Sequence, residues 1–360
     1  MKKPNVISAL LLLSLIMFSS ALHASGGAPS LEGLRELLEE VGEIAENPGL
    51  GENAEGVQKA RDAAMAAIDS GRLHLALDKL VSPLEFGPGL IYRAKMTDEI
   101  LDQAAFEIEW RTQGTMVSAE QRRAAAAHCA TAPAQVRAVA ERAANQSIHY
   151  YDAARAMAKA TQPSNGLFYL GRARAQFELQ KICEQLSTEG TVEQPPVRAL
   201  IGELAALEQR TAVEFSKPDA GTTKHGQFIV LNATIKETLE MNEAGLYHGA
   251  LYEYLNATLQ LGLLGDKPTG ERERLAEQIA AFTQRFETDG TDHGIVLAFL
   301  EAAAADLDNG EEPSDLTRAA IIVRDVAPAY AAVVGTIAKR PQPEARADQV
   351  AITLVRWPYT

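Results

Sequence analysis

Short clusters of helix breakers, "SGR", "EFGPG", "QPSNG", "TVEQPP", "KPDAGTT", "GDKPTG", "DNGEEP" and "RPQPE", cut this chain into segments in which apolar residues recur three and four positions apart. That spacing matches the 3.6-residue turn of an α-helix, not the two-residue period of a half-buried strand. Alanine, the strongest helix former, fills many of the positions between. The pattern predicts helices over 31–46, 55–69, 72–81, 89–112, 118–130, 133–161, 166–186, 196–215, 227–243, 246–264, 270–288, 291–307 and 314–339. In "SLEGLRELLEEVGEIAEN" the residues Leu31, Leu34, Leu38, Val41 and Ala45 form one stripe, with Ser30 placed to cap it and Asn47-Pro48-Gly49 to stop it. Only "QVAITLVRW" near the C-terminus reads as extended. Short links set consecutive helices antiparallel. The expected fold is therefore all-α: stacked antiparallel helical hairpins, as a superhelix or a helical bundle.

Lys2 and Lys3 precede "VISALLLLSLIMF", which runs into "SSALHASGG". A charged start, an apolar run and small residues, in that order, mark a secretory signal peptide. The run is short for a bilayer span. Residues 1–24 are expected to be removed near Ala24, leaving a periplasmic or secreted protein with no integral membrane segment. Two helical regions, 25–186 and 198–340, are expected on either side of the stretch at 187–197, with a tail at 341–360.

The chain holds 34 basic and 48 acidic residues, a net charge of −14 that becomes −16 without Lys2 and Lys3. That balance opposes nucleic-acid binding. Residues 31–60 carry eight glutamates against Arg35 and Lys59, whereas 121–181 carry nine Lys and Arg against Glu141, Asp152 and Glu178. Either an acidic helix lies on the basic segment, or that segment meets an anionic partner.

Cys129 and Cys183 are the only cysteines. In an oxidising compartment they can pair, and closing a loop of about 55 residues restricts the unfolded chain by roughly 4 kcal/mol on the loop-entropy model. The alternative, a metal or nucleophile site at His128-Cys129, rests on two adjacent residues alone.

"GLIYRAKM" at 89, "GLFYLGRA" at 166 and "GLYHGALY" at 245 echo one another, and "SGRLHLALDKL" at 70 has the same glycine-then-helix form. Gly245 is followed by Tyr247, Ala250, Tyr254 and Ala257, and Gly71 by Leu73, Ala76 and Leu80. These offsets resemble the second helix of a tetratricopeptide hairpin, mainly over 70–80 and 245–257. The resemblance implies a stack of α-hairpins with an interaction role.

No motif for a metalloprotease, a nucleotide-binding loop, a serine hydrolase or a redox pair is present. His149 and Asp152 in "HYYD" lie one helical turn apart, a spacing that serves a surface hydrogen bond or a metal edge. Candidate binding residues are Phe168, Tyr169, Arg172 and Arg174 at one helix start, Arg155 from the preceding helix, and Tyr247, His248 and Tyr252. Arg172 and Arg174 are two apart and cannot share a helical face. The tyrosines of "GLYHGALYEYLNA" read as a packed seam between helices, and Tyr252 and His248, at the edge of that apolar sector, are the candidates for a ligand-facing surface. These features favour a non-enzymatic adaptor or scaffold that needs no cofactor and binds a protein, peptide or polymer of the cell envelope. Alternatives are an envelope enzyme acting on a glycan through cleft carboxylates and a periplasmic binder of small molecules or anions.

Overall fold

The computed structural model describes residues 27–100, 102–114, 129–186, 193–217, 224–265, 268, 270–310 and 312–337. The signal segment, most of the helix expected at 118–130 and the tail at 341–360 lie outside the described residues. Within them the fold is all-α, and the isolated parallel bridge between Glu193 and Thr291 is the sole β contact.

The helices are α1 (Leu31–Ala45), α2 (Ala54–Asp69), α3 (Leu73–Met96), α4 (Gln103–Gln113), α5 (Ala134–Ala160), α6 (Pro163–Leu179), α7 (Ile201–Phe215), α8 (His225–Glu243), α9 (Tyr247–Leu264), α10 (Arg272–Glu287), α11 (Gly294–Asn309) and α12 (Pro313–Ile321). A π turn, Ile322–Val326, continues α12 into α13 (Ala327–Ile337). Ser30 caps α1 by accepting from the Gly33 amide, as its sequence requires. The buried stripe of α1 is Leu34, Leu37, Val41 and Ile44; Leu31 is exposed and Leu38 half-buried, a small rotation from the expected stripe.

The helices expected at 72–81 and 89–112 are divided elsewhere, with α3 carrying on to Met96 and α4 beginning at Gln103. α3 runs unbroken through "EFGPG" with Pro83 and Pro88 inside it. Each proline removes one backbone donor, but Leu80, Val81, Leu84, Gly87, Gly89 and Leu90 are buried around them, and packing holds the helix together. Gly89 therefore lies within a helix, and Gly166 falls in the first turn of α6, so neither closes a hairpin. Their role is close approach: a Cβ on Gly171 would lie 2.9 Å from the Gly89 Cα, and one on Gly166 2.7 Å from the Phe106 ring. Gly71 and Gly245 do close helices. They have φ of 75° and 76°, and in both places the next amide reaches back to a carbonyl five residues earlier, Arg72 to Ala67 and Leu246 to Met241. This is the Schellman stop, which favours glycine because of its positive φ.

Those two glycines lie at the same point of two six-helix units. In α1–α6, α1 packs on α2 and α3, α2 on α3, α3 on α6, α5 on α6, and α4 on both α5 and α6. In α7–α12 the same seven contacts recur in the same order: α7 on α8 and α9, α8 on α9, α9 on α12, α11 on α12, and α10 on α11 and α12. Between the units, α3 packs on α11 as α9 packs on α5, an exchange that defines a pseudo-twofold relation. The sequence carries its trace. "GRLHLAL" at 71 matches "GLYHGAL" at 245 in Gly, His, Ala and Leu, and Val136, Ala138, Glu141, Ala143 and Ala144 match Val296, Ala298, Glu301, Ala303 and Ala304.

Cys129 and Cys183 form a disulfide, with Cα atoms 5.5 Å apart, that ties the entry of α5 to the end of α6. α1 reaches the same end, where the Ser30 amide donates to the Leu186 carbonyl.

Candidate functional site

A polar seam runs between the units. The N-cap residues of α3, α5, α9 and α11 make no side-chain cap. Free amides at a helix start attract negative charge, and here carboxylates from elsewhere in the fold supply it, joined at α11 by Asp292 just before the helix. Glu301 accepts from the Leu75 amide at 2.7 Å, Glu141 from the His248 and Gly249 amides at 2.8 and 2.9 Å, and Asp292 from both Ala134 and Gly294 at 2.6 and 2.9 Å. Burial acts to raise the Glu141 carboxyl, but the His248 side chain beside it and the Gly249 amide hold it below the usual range. Burial dominates at Glu301, whose pKa is pushed up to about 8 against the opposing amides and Arg72.

Beside these caps lies a buried charged cluster. Arg142 bonds to Glu253, sits 3.9 Å from Glu85 and stacks over the Tyr252 ring at 4.7 Å. Burial alone would weaken its charge, yet Glu253 and Glu85 keep it fully protonated. Glu85 is itself raised by burial, which Arg142 and Arg172 only partly offset.

The structure does not bring the predicted site residues together. Tyr252 and His248 are interior: Tyr252 is 9% exposed and donates to Asp78, and His248 is 3% exposed with its ring 3.6 Å from Glu141. The packed-seam reading of this stretch describes both, and the alternative of an open, ligand-facing edge does not. Their helix is instead covered on that side by α5 of the other unit. Tyr247 is half-buried in the first turn of α9. Phe168, Tyr169 and Arg172 come together with residues from α3 and α5. Arg172 stacks on Tyr150 at 3.9 Å, and Phe168 meets Phe86 edge-on at 5.5 Å and Tyr169 at 5.3 Å. Arg155 lies apart, paired with Glu107 at 3.0 Å and stacked on Trp110 at 4.5 Å. His149 turns to Glu240 of α8 rather than to Asp152.

Arg174, on the opposite face of α6 from Arg172, lines a groove of about 600 Å³ between α1, α3 and α6. Its floor is apolar, with Leu37, Ile44, Leu84, Ile91, Leu179 and Ile182. Its walls carry charges of both signs. Lys95 and Arg174 make no ion pair among the described residues, and neither do Glu40 and Glu43. Glu178 pairs with Lys181. Partial burial, with Glu43 and Glu178 nearby, raises the Glu40 carboxyl. Tyr92 forms part of the wall, its hydroxyl held 2.5 Å from Glu109.

Glu40, Glu43, Tyr92 and Lys95 were not singled out from the sequence. They come from two helices, α1 and α3, separated by breakers, and nothing local to any of them shows a shared wall. The seam carboxylates left one readable signal, the repeated Val-x-Ala-x-x-Glu-x-Ala-Ala at 136 and 296.

Among the described residues no group of three or more His, Cys, Asp or Glu is placed to hold a metal ion. No described helix is long and apolar enough to cross a membrane. No protein-family model, curated protein or solved structure matches the chain.

Proposed function

We propose that the chain is an exported binding protein, an adaptor or scaffold of the cell envelope, whose groove between α1, α3 and α6 holds a peptide segment of its partner. The single observation behind this is the groove's make-up: an apolar floor long enough to span three helices, with Lys95 and Arg174, and Glu40 and Glu43, all without ion partners among the described residues. An amphipathic segment with one acidic and one basic side chain matches it. Apolar burial supplies the affinity and the charges fix direction. The glycine-closed hairpins α2–α3 and α8–α9 support a kinship in design with tetratricopeptide repeats, and the leader at residues 1–24 supports export.

The test is a photo-crosslinking residue placed at Glu43, on the groove rim, and separately at Lys59, on the exposed face of α2. Expected is a discrete adduct in the envelope fraction from position 43 alone, on a mature chain that begins near Ser25. Equal labelling from both positions, or none, counts against the groove.

One observation favours an enzyme as the second reading. Glu40, its carboxyl raised by partial burial and then by Glu43 and Glu178, forms with them a carboxylate set of the kind glycan cleavage uses. Glycan turnover abolished by Glu40→Gln would replace the scaffold reading. Heat stabilisation by a small anion, lost in Arg174→Ala, would favour a small-molecule binder.

A further inference from the structure

The groove has a counterpart in the other unit, a cavity of about 410 Å³ between α7, α9 and the π turn. The correspondence holds residue by residue. Arg210, Val213 and Glu214 of α7 stand where Glu40, Glu43 and Ile44 stand in α1, counted from Ile201 and Leu31. Counted from the two left-handed glycines, Gly262 and Gly265 take the places of Pro88 and Ile91. Counted from the prolines that open α12 and α6, Arg324 takes the place of Arg174. Two cavities found on equivalent helices, with an arginine at the same position of each, are one architectural feature used twice.

What differs sets the ligand. α9 stops at Leu264, among the described residues nothing stands in for the wall of Tyr92 and Lys95, and the second groove is smaller. The acid of the first groove is replaced: Arg210 stands for Glu40 and Val213 for Glu43. The acid that remains in the lining, Glu214, is engaged with Lys217 at 2.8 Å, and the lining Arg324 is paired with Asp325 beside it at 2.7 Å. Arg210 makes no ion pair among the described residues, and Val213, beside it, is 57% exposed. Arg324 lies in the π turn, a distortion that recurs at functional positions of helices.

We propose that this second groove is a binding site of its own, for an acidic peptide segment that sets a carboxylate against Arg210 and an apolar side chain on Val213 and Leu261. The proposal rests on the peptide-binding reading of the first groove and adds to it that the chain holds two segments of different charge at once. Position 40 is acidic in one groove and its equivalent is basic in the other, so the two sites select by charge.

Two fluorescein-labelled peptides test this on the full mature chain: one built of leucine and glutamate, one of leucine with both glutamate and lysine. The acidic peptide should bind with one equivalent. Arg210→Glu should weaken it at least tenfold, Val213→Asp should do the same, and Lys95→Ala with Arg174→Ala should leave it unchanged. The mixed-charge peptide should show the reverse dependence. Acidic-peptide binding indifferent to Arg210→Glu and Val213→Asp overturns the second site, while the mixed peptide's loss on Lys95→Ala with Arg174→Ala would still uphold the first. If the mixed peptide is also unaffected by its own variants, or neither peptide binds, both readings fall. Position 210 is exposed, and an unchanged thermal midpoint will confirm that its variant folds.

Discussion

Tyr252 and Asp78 occupy the same position in their respective units, seven residues beyond a left-handed glycine, and they meet: the tyrosine hydroxyl donates to the aspartate carboxylate at 2.5 Å. A contact between equivalent positions is what a pseudo-twofold axis produces, and it places that axis between α3 and α9. The two residues are not identical, so the contact is a donor–acceptor pair where a symmetric one would set carboxylate on carboxylate or hydroxyl on hydroxyl.

Removing that hydroxyl should therefore be felt. Tyr252→Phe keeps the ring under Arg142 and against Phe299 but loses a bond to a charged acceptor, at a cost of about 1.5–3 kcal/mol. Tyr252→Ala also empties the packed space, for about 3–5 kcal/mol by analogy with other large aromatic truncations. Urea denaturation of the two variants checks the order. Equal, near-zero changes would place Tyr252 at an open surface.

The equivalent caps Glu141 and Glu301 should give opposite pH responses. Glu141 is held below its unfolded value, so its contribution is present above about pH 4.5 and lost as pH falls through the folded pKa. Glu301 is raised to about 8, so the unfolded chain ionises first and stability falls as pH climbs from about 4.5 to 8. Glu301→Gln should flatten the alkaline decline, and Glu141→Gln should remove part of the acid one. Denaturation midpoints at about pH 4, 6 and 8 separate the two.

Arg142→Ala leaves Glu253 and Glu85 buried without their cation, a change expected to cost about 3–5 kcal/mol. Arg142→Lys should recover only part of this, since an ammonium cannot reproduce the guanidinium stack on Tyr252. Adding Glu253→Gln to Arg142→Ala should restore stability relative to the single variant. A double-mutant cycle with no coupling would count against the pair.

Reducing the disulfide should lower stability by about 2–4 kcal/mol, since it clasps the start of α5 to the end of α6. Cys129→Ala with Cys183→Ala should match the reduced protein in urea denaturation. A larger loss on reduction than on substitution would mean that the free thiols themselves disturb the site.

The helices were legible because their periodicity is local. Gly71 and Gly245 were legible as helix stops because a positive φ demands a residue without a side chain. Pro83 and Pro88 misled because a local breaker rule says nothing about the apolar residues that bury the helix on both sides. Gly89 and Gly166 looked like hairpin openers, yet what selects glycine there is a neighbouring helix, out of reach of any window along the chain. The carboxylate caps were hidden for the same reason: Glu301 serves Leu75 and Glu141 serves His248, over separations of 226 and 107 residues.

Asp292 closes the first turn of one long helix in each half, through Ala134 and Gly294. Neither half can loosen its interior without exposing amides that belong to the other. Calorimetry should accordingly record a single endotherm: the molecule melts whole, and whatever seats itself in one groove steadies the opposite side.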